Sequence, residues 1–81
     1  MGYAKNSAEM INATVAAGAA SDTAITITGM AAADTVFSVV NLTDNTQISL
    51  AGLVEATNSF TITASTAVKT LLVFWIDRSV G

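Results

Sequence analysis

The chain contains no cysteine, no histidine and no proline among its 81 residues. Without cysteine there are no disulfide staples, and without histidine as well the usual zinc and haem ligand sets are excluded. Without proline, no strand is barred from the centre of a sheet. Charge is scarce too, at 11% of residues, where soluble domains typically carry roughly 25%. The three basic residues, Lys5, Lys69 and Arg78, stand against six acidic ones and form no stripe, for a net charge of −3. A direct role on nucleic acid is therefore not expected, because nothing is placed to neutralise phosphates.

Long hydrophobic runs are missing as well. Leu71 to Ile76 is apolar without interruption, far short of the ~20 residues that cross a bilayer as a helix. Asn6, Ser7, Glu9, Asn12 and Thr14 break up any N-terminal signal core. Met1-Gly2 is followed by Asn6 where a myristoylation motif wants Ser or Thr. The expectation is a product made in the cytoplasm, with no membrane contact.

What the chain has is small and apolar: 52% hydrophobic residues, arranged in short one-sided segments. A domain of this size buries only about 60% of its unfolded surface. With disulfides and the common metal sites excluded, association with other subunits is the expected source of further stability. TAITITG (23–29) alternates Ile25 and Ile27 against Thr26 and Thr28 and stops at Gly29. TVFSVVNLT (35–43) is β-branched, with Asp44-Asn45 supplying turn chemistry after it. TQISLAGL (46–53), SFTIT (59–63) and VKTLLVFWID (68–77) read as further strands, and 13–17 as a weak one. This pattern predicts an all-β chain, a small single-domain antiparallel β-sandwich or barrel of about six to seven short strands. Residues 1–20 are read as an N-terminal arm with a weak strand, ordering on contact, and 21–81 as the sandwich or barrel domain.

An internal echo supports two similar halves. Shifted by 35 residues, TAITITGMAAADTVFSVV lies over NSFTITASTAVKTLLVFW, so that Ile25 meets Phe60, Ile27 meets Ile62 and Thr35 meets Thr70. Each half reads as a Thr/Ile strand, a connection of small residues, and a strand apolar on both faces. Asp77 and Ser38 mark the face expected to reach solvent. Leu72, Phe74, Ile76, Phe37 and Val39 are accordingly assigned to the core, and Leu71, Val73, Trp75, Val36 and Val40 outward. Those five, with Tyr3, Met10 and Ile11 of the arm, form the expected subunit interface. Trp75 carries the most weight, because adjacent Phe74 must point to the opposite face.

No catalytic constellation is visible. Without His or Cys, candidate groups reduce to Ser, Thr, two lysines and scattered carboxylates, none in a motif. Asp22, Asp34 and Asp44 read as turn residues, and Asp44-Asn45 lacks the oxygen ligands of a calcium site. The sequons at Asn12 and Asn41 read as strand-edge polar residues. Neither an enzyme nor a cofactor is expected.

The stretch ITITGMAAADTVFSVVNLTD, followed by SFTITASTAVKTLLVFWID, resembles small structural proteins of tailed bacteriophages over residues 24–77. Those are short all-β chains with a Thr-rich strand ending in Gly, a step into an apolar strand, and a closing strand of the LLV-aromatic-Trp kind. Among them the similarity is to head decoration, or cement, proteins. The resemblance implies a homo-oligomer, often a trimer, on the outside of the shell, with the major capsid protein as partner. Its role there is to tie neighbouring capsomers together. Two other classes fit the residues: a tail or fibre subunit, and a small carbohydrate- or ligand-binding sandwich stacking sugars on Trp75 and Tyr3.

Overall fold

The computed structural model of the chain describes residues 11–78. Tyr3, Met10 and the first half of the arm expected over 1–20 lie outside that range. Seven strands follow one another: β1 (Ile11–Ala17), β2 (Ile25–Thr26), β3 (Thr35–Asn41), β4 (Thr46–Gln47), β5 (Val54–Ala56), β6 (Ser59–Thr61) and β7 (Thr70–Ile76). No helix occurs among the described residues. The strands form two antiparallel sheets, one of four strands in the order β1-β7-β3-β4 and one of three in the order β2-β6-β5. The all-β architecture expected from the residue pattern is thus what the chain adopts.

The weak strand expected at 13–17 begins at Ile11 and pairs with β7 along its whole length, from Ile11–Ile76 to Ala17–Thr70. It is an edge of the larger sheet, built into the sandwich. The single strand expected over 46–53 is instead the short β4, a connection through Leu50 and Gly52, and then β5. β5 and β6 close a hairpin in which Ala56 pairs with Ser59 across Thr57-Asn58. Asn58 takes a positive φ of 59° there, which a short polar side chain tolerates better than most.

Between the sheets lies one core. Ile25, Ile27, Met30, Phe60 and Ile62 come from the β2–β6 side, and Ala16, Val36, Val39, Leu71, Val73 and Trp75 from the β1–β7–β3 side. Ile48, Leu50 and Leu53 pack against its margin. Ile25 and Ile27 point inward as their alternation required, as do Phe60 and Ile62. Gly18 follows β1 where the backbone presses on Thr66, and a Cβ at this position would collide with the Thr66 carbonyl oxygen. Thr66 is itself buried, its hydroxyl accepting from the Ala19 N–H at 3.0 Å.

The 35-residue echo has a structural counterpart. Each half contributes one strand to each sheet, and the two copies pair with one another: β2 with β6, joining Ile25 to Phe60, and β3 with β7. The turns between them match as well. Asp34 N–H donates to the Ala31 carbonyl and Lys69 N–H to the Thr66 carbonyl, both at 3.0 Å.

The face assignment of the two apolar strands is inverted relative to expectation. Leu71 and Val73 are fully buried and Trp75 is 5% exposed, whereas Leu72, Phe74 and Ile76 lie on the opposite, open face. In β3, Val36 and Val39 are both buried, although three positions apart, and Phe37 is 45% exposed. The cause is a β-bulge. Val36 pairs with Trp75 and Ser38 with Phe74, leaving Phe37 as the extra residue. Before the bulge the echo relates Val36 to Leu71, but past it Ser38 corresponds to Leu72, not to Val73. Ser38 therefore shares its face with Leu72 and not with Val73, and Asp77, one residue past the end of β7, does not mark the outward side of the strand.

Candidate interaction surface

Four of the residues expected at an interface, Val36, Leu71, Val73 and Trp75, are core residues covered by the second sheet. Trp75 is held there by its indole N–H, which donates to the Thr14 hydroxyl of β1 at 3.0 Å. A buried tryptophan needs such a partner. With its ring enclosed and its N–H used, Trp75 is not placed to stack on a sugar. Ile11 and Val40 stand on the outer face of the four-stranded sheet.

That outer face is a three-row apolar surface. Register places Val15, Leu72 and Val40 side by side, then Ala13, Phe74 and Ser38, then Ile11, Ile76 and Thr35. The bulge adds Phe37, whose ring centroid lies 6.2 Å from that of Phe74 in a tilted arrangement, within the range of favourable aromatic pairing. Ile11 is 51% exposed and Val15 64%. Polar groups ring the face. Gln47 Nε2 donates to Ser38 Oγ at 3.1 Å on the β4 side, and Arg78 Nη1 donates to Thr35 Oγ1 at 3.2 Å at the far end. An aromatic centre with a polar margin is the anatomy of protein–protein contact surfaces.

The carboxylates support the fold away from this surface. Glu55 on β5 accepts from the Val36 N–H at 3.1 Å, bridging the two sheets beside the bulge. β4 reaches only Val40 and Asn41, so no strand lies beside Val36 to take that N–H. Asp34, 3% exposed, accepts from the Ala31 N–H at 2.8 Å and from the Arg78 N–H at 2.9 Å, which fixes the chain as it leaves β7. Asp44 closes the β3–β4 turn, its carboxylate receiving Asn41 Nδ2 at 3.0 Å and Lys69 Nζ at 2.9 Å. The Lys69 hydrogen bond, aided by that of Asn41, holds the Asp44 carboxyl below its ordinary value, partly offset by desolvation. Asn41 is buried with both amide atoms engaged, its Oδ1 accepting from the Asp44 N–H at 3.1 Å. It is the last residue of β3, tied into the turn that follows, and not an accessible glycan acceptor.

Among the described residues there is no cavity and no group of three or more Asp or Glu placed to hold a metal ion. The sequence signal that locates the open face was the doubly apolar character of 71–76. What the sequence did not show was which side the bulge would leave open. Compared with protein-family models, with curated proteins and with solved structures, the chain matches none.

Proposed function

We propose that the chain is a structural subunit of a tailed-bacteriophage virion, of the head decoration type. It binds the capsid exterior through the outer face of its four-stranded sheet and bridges neighbouring capsomers. The observation that supports this reading is the open face itself, with Phe37, Phe74, Leu72, Ile11 and Val15 gathered on one side of a fold in which the other side already forms the core. Exposed apolar side chains gathered inside a polar rim mark a contact site. The resemblance over residues 24–77 supplies the kind of partner, the major capsid protein, and the acidic balance suits the outside of the shell better than its DNA-facing side.

A map of a particle containing the chain tests the proposal. Density for the two-sheet domain on the outside of the head, with its four-stranded sheet turned toward the shell, is the expected result. Density confined to the tail would overturn it in favour of a tail or fibre subunit.

A further inference from the structure

The second unsatisfied feature of the larger sheet is its edge. β1 spans seven residues with no charge, no proline and an unbroken register against β7. The other sheet edges are blunted by shortness: two residues in β4, two in β2 and three in β5. A long, uncharged edge is a template for a further strand unless something pairs with it.

The ladder shows which backbone groups are on offer. Gly18 N–H donates to the Lys69 carbonyl at 2.8 Å, one step beyond the Ala17–Thr70 pair. The even-numbered residues of β1 therefore direct their N–H and C=O groups at β7. Those of Ile11, Ala13, Val15 and Ala17 point to the open edge, and no described residue pairs with them there.

We infer that this edge pairs with β1 of a second copy, antiparallel, about a two-fold axis through Thr14. The register follows from the pattern of the strand itself. It sets Ile11 opposite the partner's Ala17 and Ala13 opposite the partner's Val15, so each large side chain on the outer face meets a small one. These are the residues whose backbone groups face outward, so they exchange the hydrogen bonds, while the Thr14 pair is a non-hydrogen-bonded one. A shift by one residue would set inward-directed groups opposite outward-directed ones. No like charges meet, because β1 carries none. The axis keeps both outer faces on the same side, so the two copies present one continuous apolar floor of twice the width. This goes beyond the decoration reading and does not depend on it.

Sedimentation of the full chain, free of any shell, tests the pairing with two variants. Val15→Pro removes an edge N–H and leaves the β7 ladder intact, since edge strands accept proline there. Thr14→Cys introduces the chain's sole thiol at a non-hydrogen-bonded pair, where Cα atoms ~4.5 Å apart permit a disulfide. The wild type is expected to sediment as a dimer, Val15→Pro at half that mass, and Thr14→Cys to form a covalent dimer on mild oxidation. A wild-type monomer or trimer would overturn the inference. So would a dimer that Thr14→Cys fails to cross-link; if Val15→Pro does not fold, this cross-link decides.

Discussion

The indole N–H of Trp75 reaches the Thr14 hydroxyl at 3.0 Å, tying an inner strand of the larger sheet to its edge from the inside. The bond gives the most polar atom of a buried aromatic a partner, and it fixes which face of β7 is interior. Thr14→Val keeps the side-chain volume and removes the acceptor. An unsatisfied buried donor costs about 1–3 kcal/mol, so the urea midpoint of this variant is expected to fall without a change in the slope of the transition. Wild-type tryptophan emission is expected to be blue-shifted and slow to quench with acrylamide. Red-shifted, readily quenched emission would place Trp75 at the surface and contradict the fold.

Glu55 holds the bulge from the opposite sheet. Glu55→Ala leaves the Val36 N–H without its acceptor, and a loss of about 1–3 kcal/mol is expected. Glu55→Gln retains an acceptor oxygen and should recover a substantial part of it. Equal losses in the two variants, measured by chemical denaturation, would show that the carboxylate acts through something other than this bond.

The Asp44–Lys69 pair makes stability pH-dependent in a defined direction. The folded chain holds the Asp44 carboxyl below its ordinary 3.8, so it binds that proton more weakly than the unfolded chain does. The contribution is fully present above the ordinary value and is lost as pH falls through the folded one. Lys69→Gln is expected to raise the Asp44 pKa toward 3.8 in an NMR titration. The variant should be less stable than wild type near neutrality, with the gap closing in acid and shrinking in high salt.

Much of the fold follows from local pattern. Ile25, Ile27, Phe60 and Ile62 alternate with polar partners, and their inward orientation needed nothing further. Asp34, Asp44 and Asn58 sit where turn chemistry favours them. The candidate surface was legible only in part. That residues 71–76 were apolar on both faces showed that one face would lack cover from an ordinary two-layer fold. Choosing between the faces required the position of one extra residue, Phe37, and a bulge leaves no mark in composition or periodicity. The contact beside it is long-range too: the Val36 N–H is received by Glu55, nineteen positions away in another sheet. The hairpin at Thr57-Asn58 was hidden for a related reason, since three-residue strands are too short to establish a period.

The proposed docking of the open face of the larger sheet on a phage head is open to co-sedimentation with expanded, DNA-free heads. Phe37→Asp places a charge at the centre of that face, at a position already 45% exposed, so folding should survive and circular dichroism can verify that it does. The wild type is expected to sediment with the heads and folded Phe37→Asp to remain in the supernatant. Equal sedimentation of the two proteins, or failure of the wild type to bind heads at all, would rule out docking through this face.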